Sequence, residues 1–293
     1  MSIKVLAIVV TYNAEGWVDY CLKSLIESSA ELDILCIDNN SSDRTVNIIS
    51  EHYPCIKLIE NKKNMGFGRA NNIGFEYCLN EAYDYAFLLN QDARVERDAV
   101  QELVNIHLSD SGFGIISPLQ RGKENNQLEY IFSSWLEPKN TPNLISDFVT
   151  GDSIKKVYEC SFVNAAIWLV SSECLKKVGF FDQDFPHYGE DNDYAHRVKL
   201  AGLKVGVAPS VLANHARYKT ATTEGDEDFG SKENRRYVSL LVEYKRNPAG
   251  VTKKYFYFLR KMLVEIVHYS VLFDAEELIL TLRAYTRLLF TKK

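Results

Sequence analysis

The six cysteines of this 293-residue sequence form no C-x-x-C pair, and no run approaches the roughly 20 apolar residues that cross a bilayer. The first absence removes a zinc ribbon or dithiol redox site; the second removes a spanning helix. Cys21, Cys36, Cys55, Cys78, Cys160 and Cys174 lie in apolar, periodic surroundings and are expected as buried free thiols of a reducing compartment. Basic excess is also lacking. A net charge of −5 gives no footprint for nucleic acid, so no nucleic-acid partner is expected. No Gly-Lys-Ser/Thr follows a glycine loop, and no G-x-G-x-x-G follows the first apolar run, which argues against P-loop and dinucleotide-binding chemistry. The N-terminal apolar run, residues 5–10, is too short for a secretory signal and leads into a polar turn. Cytoplasmic localisation is expected, at most peripheral at the inner face of the cell membrane.

Apolar runs and helical stripes alternate through the first ~118 residues, which predicts βα units and an α/β fold. Strands are expected at residues 5–10, 32–37, 56–59, 85–89 and 114–117, with helices between them, one of them capped by Ser42 or Asp43. Repeated units of this kind imply a mostly parallel sheet flanked by helices, whose ligands bind beyond the carboxyl ends of the strands. Residues 121–158 are polar and are expected as loops and short strands. A main domain is expected over 1–217, a mobile loop over 218–234 and a helical region over 235–293.

Three polar clusters fall at expected strand ends: Thr11-Tyr12-Asn13, Asp38-Asn39-Asn40 and Asn90-Gln91-Asp92. Asp92 follows an apolar strand, where one carboxylate and substrate phosphates can hold a hard divalent cation; it can equally cap the next turn. Asp38 can accept a hydrogen bond from a base or ribose, or close a turn with Asn40. Residues 64–74, NMGFGRANNIG, space glycines at a helix start and can turn backbone N–H groups toward a phosphate. Glu190 and Asp191 adjoin at another helix start, where they serve either as dipole partners or as a general base in a partly apolar loop. His215 reads as a packed residue or a ligand. Phe162 and Trp168 read as core rather than as a sugar platform.

Taken in order, IVVTYN, CIDNNSSD, NMGFGRANNIG, LLNQDA, VNAAIWLV, GFFDQDF, GEDNDYAHRVKLAG and Asn214-His215 resemble family 2 glycosyltransferases of the GT-A (Rossmann-like) fold, over about residues 3–217. The NQDA variant is most similar to the bacterial rhamnosyltransferase-like branch. The resemblance implies an inverting transferase of surface polysaccharide synthesis that moves a sugar from dTDP-rhamnose or a UDP-sugar to a glycan or lipid-linked acceptor. By position it assigns Thr11, Tyr12, Asn13, Asp38 and Asn40 to the nucleoside. Asn64, Gly66, Arg69, Ala70 and Asn71 lie near the base, ribose or diphosphate, with Asn90 and Gln91 beside Asp92. Asp92 and His215 are the implied ligands of Mn²⁺ or Mg²⁺, Asp191 the catalytic base and Glu190 an acceptor-positioning group. Asn164, Ala165 and Ala166 line the sugar–acceptor pocket. Two departures stand out. The D-x-D triplet of many relatives is Asn90-Gln91-Asp92 here, leaving one carboxylate, and their Ala-Arg-Asn is Ala70-Asn71-Asn72. A non-catalytic nucleotide- or glycan-binding protein on the same fold is the rival reading. A sugar-phosphate nucleotidyltransferase fits poorly, because residues 11–16 lack the glycine-rich basic loop it needs.

Residues 251–293 carry a net charge of +4, against −9 for residues 1–250. Two apolar stripes there, Phe256, Leu259, Leu263, Ile266 and Val267, and Leu278, Leu282, Tyr285 and Leu289, are expected to pack against the main domain or in a homodimer. Peripheral docking on an anionic membrane is the alternative.

Overall fold

Val5, Ala7 and Val9 belong to one buried apolar cluster and Leu6 and Ile8 to another. That division is what a strand covered on both faces produces with its two-residue period. A computed structural model describes residues 3–122, 127–151, 153–185, 187–217, 231–272 and 274–290. Its elements are β1 (Val5–Thr11), α1 (Val18–Ile26), β2 (Leu32–Asp38), α2 (Thr45–His52), β3 (Lys57–Glu60), α3 (Phe67–Asn80), β4 (Tyr85–Leu89), β5 (Ala93–Val95), α4 (Ala99–Ser109) and β6 (Phe113–Arg121). The chain continues through α5 (Tyr130–Ser134), α6 (Leu144–Thr150), β7 (Tyr158–Cys160), β8 (Ile167–Ser171), α7 (Ser172–Val178), α8 (Glu190–Leu200) and β9 (Lys204–His215). Three helices close it: α9 (Lys232–Arg246), α10 (Val251–Val271) and α11 (Ala275–Phe290). The chain divides into two compact units, Met1–Phe181 with Tyr194–Ala221 and Asp182–Asp193 with Thr222–Lys293.

The first unit is built on one sheet of order β3-β2-β1-β4-β8-β6-β9-β5, with β7 paired to β9. Pairings set β1, β2, β3, β4, β6 and β9 in one direction and β5, β7 and β8 against it. The sheet is therefore mostly parallel, as expected, but β8 enters antiparallel between β4 and β6. Its residues are all buried, and a continuous apolar run carries no sign of strand direction. One face of the sheet packs under α1 and α4 and the other under α3, α7 and α8. Gly74 of α3 lies on β1, where a Cβ would come within 2.6 Å of Ile8. Thus one glycine of the NMGFGRANNIG stretch serves helix–sheet packing rather than a phosphate.

Several local expectations are corrected. Residues 121–158 include two short helices, α5 and α6, rather than loops and strands alone. α2 opens at Thr45 with Arg44 in the cap position, and the Asp43 carboxylate accepts from the Thr45 amide at 3.0 Å. Strand β5 was not expected; three residues carry too little periodicity to register. Cys55 is exposed while the other five thiols are buried and free. Of the expected 218–234 loop, residues 218–230 lie outside the described residues, and Lys232 already begins α9, capped by Ser231.

In the second unit α9, α10 and α11 bury Tyr237, Leu241, Phe258, Tyr285 and Leu288 together with Phe185. Arg236 of α9 donates to Glu265 at 3.1 Å and to Glu277 at 2.5 Å. Asp274 accepts from the Glu277 amide at 3.0 Å, capping α11. At 100° per residue, the exposed side of α10 gathers Lys253, Phe256, Tyr257, Arg260, Leu263, Val264, Val267 and Val271. The helix's one acid, Glu265, points inward to Arg236 and Tyr285. No helix among the described residues is long and apolar enough to cross a membrane.

Candidate active site

The carboxyl ends of β1, β2, β4, β6 and β9 reach the same edge of the sheet, and β8 starts from it. There Asp38, 1% exposed, accepts from Thr11 Oγ1 at 2.8 Å, from the Ser41 amide at 2.8 Å and from Ser41 Oγ at 2.5 Å. Three bonds to one buried carboxylate make it the clamp of the β2 turn. Ser41 Oγ in turn accepts from the Asn13 amide at 2.9 Å, and Asn13 Oδ1 accepts from the Ser42 amide at 2.9 Å. Asn13 and Asn40 take φ of 46° and 69°, the left-handed region that asparagine tolerates better than most residues. Gln91 binds both sides of the Tyr12 peptide: Oε1 accepts from its N–H at 2.7 Å and Nε2 donates to its carbonyl at 3.2 Å. The ends of β1, β2 and β4 are thereby tied into one floor, on which Tyr12, Asn13, Asn40 and Ser41 keep exposed surface.

Beside it, Asn39 Nδ2 donates to the Gly66 carbonyl at 3.2 Å, and Asn39 Oδ1 accepts from Asn61 Nδ2 at 3.0 Å and the Met65 amide at 3.2 Å. Asn64 Oδ1 accepts from the Gly66 amide at 2.9 Å, and Gly66 caps α3 with φ of 81°. Of the α3 residues named from the sequence, Arg69 is exposed, Ala70 is buried, and buried Asn71 donates within the helix to the Phe67 carbonyl at 3.0 Å. Asn72 makes a two-way clip with the Phe181 backbone, 2.9 Å in each direction.

Asp92 sits in the turn between β4 and β5, where the Ala93 amide donates to the Asn90 carbonyl at 2.9 Å. Ala93 pairs with His215 across β5 and β9, which brings Asp92 Oδ1 to 3.5 Å from His215 Nε2, both side chains nearly buried. His215 Nδ1 is buried with no hydrogen-bond partner among the described residues, so whatever Nε2 meets sets the tautomer. Two ligands of one cation at ~2.1 Å stand about 3.0–3.4 Å apart, so the observed 3.5 Å fits a shared metal with little adjustment. Among the described residues no group of three or more His, Cys, Asp or Glu is placed to hold a metal. Magnesium-type sites complete a small protein ligand set with substrate phosphates, and Asp92 with His215 fits that pattern.

The same edge carries a polar wall. Gln120 Nε2 donates to Asn164 Oδ1 at 3.2 Å, and the Asn90 amide donates to the Ala166 carbonyl at 2.8 Å. Asn164 is half-buried, whereas Ala165 and Ala166 are buried. Arg121 binds Glu96 and, at 3.1 Å, Asn214 Oδ1. Glu129 caps α5 and pairs with Arg217 at 2.6 Å. Burial pushes the Glu129 carboxyl up, but the Arg217 hydrogen bond and the Ile131 and Phe132 amides outweigh it and leave the group below the usual carboxylate range. Sequence reasoning missed Ser41, Glu129 and Arg217. Ser41 stood inside a named motif, while Glu129 and Arg217 are 88 positions apart and nothing local links them.

Glu190 and Asp191 belong to the second unit and open α8. Gly189, at φ 85°, sets the turn before them, and a Cβ there would come within 2.7 Å of Val238 Cγ1. Glu190 is 4% exposed, with Oε2 unpartnered among the described residues. Burial, then the neighbouring Asp191, push its carboxyl up to about 8. Asp191 is half-buried, and its Oδ1 accepts from the Asn192 amide at 2.8 Å. Nearby His187 is pushed down to about 4 by burial.

Known proteins resemble the chain in both sequence and fold. It is 23% identical over 209 residues to the low-salt glycan biosynthesis hexosyltransferase Agl10 of Haloferax volcanii, covering 71% of this chain and 66% of that protein's own length. It is 26% identical over 250 residues to the rhamnosyltransferase WbbL of Escherichia coli, covering 81% of this chain and 90% of WbbL. Among solved structures, S. aureus TarS 1-349 in complex with UDP-GlcNAc superposes with a TM-score of 0.63 at 14% identity, covering 98% of this chain and 82% of that one. GalNAc-T7 with UDP, GalNAc and Mn²⁺ superposes with a TM-score of 0.61 at 15% identity, covering 89% and 51%. These likenesses show the GT-A fold. The profile of Glycosyl transferase family 2 matches residues 6–159, more than half of the chain, so the chain belongs to the family 2 glycosyltransferases.

Proposed function

We propose that the chain is an inverting glycosyltransferase that moves a sugar from dTDP-rhamnose or a UDP-sugar to an acceptor hydroxyl in bacterial surface polysaccharide synthesis. The rhamnosyl- and hexosyltransferase relatives and the UDP-sugar complex of a structural neighbour support the donor class. The observation that carries the reading is the unequal environment of two adjacent carboxyls. Glu190 is buried and holds its proton to about 8, whereas Asp191 keeps solvent access at the first turn of α8.

In this reading Tyr12, Asn13, Asn40 and Ser41 receive the nucleoside on the floor that Thr11, Asp38 and Gln91 hold rigid. Asn64, Gly66 and Arg69 lie toward the diphosphate, and Asn164 faces the acceptor side. Asp92 and His215 would hold Mn²⁺ or Mg²⁺, which when bound neutralises charge on the departing diphosphate. Asp191 takes the acceptor hydroxyl proton as that oxygen bonds to the anomeric carbon. The bond from that carbon to the diphosphate oxygen breaks on the opposite side, so one displacement inverts the centre. Glu190, as a neutral acid, can donate a hydrogen bond to the acceptor without adding a second negative charge.

The test is Asp191→Asn. Transfer is expected to fall roughly 10²–10⁴-fold, the usual weight of general-base catalysis, while calorimetric affinity for the nucleotide with Mn²⁺ stays unchanged. A variant near the wild-type rate overturns the base assignment. A wild-type protein that binds nucleotide-sugars yet neither transfers nor hydrolyses them would be the non-catalytic binder instead.

A further inference from the structure

The loop that presents Glu190 and Asp191 is held by α9 on both sides of the pair. Before it, Lys245 Nζ lies 2.5 Å from Asp182 Oδ2 and 2.6 Å from Asp184 Oδ2. After it, Arg246 Nη2 binds the Asn192 side chain and, at 3.3 Å, the Asn192 carbonyl. Between these anchors Phe185, 2% exposed, is sunk into the cluster of Tyr237, Leu241 and Phe258, and the Gly189 backbone is pressed onto Val238. Burial lowers the affinity of Lys245 for its proton, but the hydrogen bonds to Asp182 and Asp184 outweigh it and keep the ammonium charged. Two charge-assisted contacts from Lys245 and one Arg246 nitrogen shared between two Asn192 oxygens, all from the last turn of one helix, exceed what a surface loop needs to stay ordered.

We propose that Lys245 and Arg246 are positioning residues for the Glu190–Asp191 pair, which makes the C-terminal helices part of the transfer apparatus rather than an appendage to it. The proposal rests on the reading of Asp191 as base. The helices hold no reacting group; they fix the angle at which the first turn of α8 offers its carboxylates. A displacement of about 1 Å at such a group can cost on the order of 10²-fold in rate.

The experiment uses the full chain and four variants: Lys245→Met, Lys245→Arg, Arg246→Met and Asp191→Asn. For Lys245→Met and Arg246→Met, kcat for transfer is expected to drop about 10- to 100-fold with donor Kd and donor KM within twofold of wild type. Lys245→Arg is expected to recover most of the loss, because a cation still spans both aspartates. Arg246 is exposed, so its variant folds even if Lys245→Met does not. Unchanged kcat in Arg246→Met and in folded Lys245→Met, or parallel losses in kcat and donor affinity, overturn the positioning role. Asp191→Asn separates the two failures. If it keeps its rate, the base assignment has failed; if it loses activity while the Lys245 and Arg246 variants do not, only the positioning proposal has.

Discussion

A buried carboxyl is costly to ionise, and Glu190, whose Oε2 meets no partner among the described residues, is such a group. Its usual value of 4.5 governs the unfolded chain, and its folded value is about 8. Between those pH values the native state binds more protons than the unfolded state, so stability falls as pH rises through the window. Glu190→Gln imitates the protonated form and removes that slope. The variant is expected to match wild type near pH 5 and to be more stable near pH 8, by an amount on the order of 1–3 kcal/mol. Denaturant titrations at the two pH values check it, and an equal difference at both would count against burial as the cause. At this same scale Asp38 and Gln91 were legible only in part. Their positions at strand ends follow from the apolar runs before them. That their side chains are spent on Ser41 and on the Tyr12 peptide depends on a β1–β2–β4 neighbourhood that no local pattern encodes.

Among the elements, β1, β2, β4 and α1 follow from periodicity, because each buries a continuous run or a single stripe. β8 and β5 do not: one hides its direction and the other its existence, yet they are the strands that put Ala166 beside Asn90 and His215 beside Asp92. Helix α10 presents the opposite case. Its outward side gathers six apolar residues with Lys253 and Arg260 and no acid. We infer from that composition an anionic lipid surface as its occupant, since the apolar residues gain by leaving water and the two cations gain from phosphate headgroups. The protein is expected to sediment with vesicles of phosphatidylglycerol and phosphatidylcholine at low salt and not with phosphatidylcholine alone. Val264→Glu with Val267→Glu should abolish it. A dimer in solution that these substitutions dissociate, with no vesicle binding, would assign the face to a second copy instead.

At the scale of the molecule, the sequence motifs ended near His215, and the helices beyond it were expected to pack against the main domain or a second copy. In the structure residues 182–193 cluster with those helices. The reason this was invisible is physical: Lys245 and Asp182 are 63 positions apart, and an ion pair leaves no periodic trace. The division between the two units falls inside α8, after Asp193.

That break has a practical side. A gene cut at the obvious place, after residue 217, would encode every family motif and still strip the cover from Phe185 and Gly189. Such a fragment is expected to be nicked by protease within residues 182–193 far faster than the full chain, with mass spectrometry locating the cut; equal resistance would mean that the loop holds itself. Exchanging C-terminal halves between relatives meets the same obstacle. The seam a protein engineer must respect falls just after the first turn of α8, and a graft has to carry residues 182–193 along with the helices that hold them.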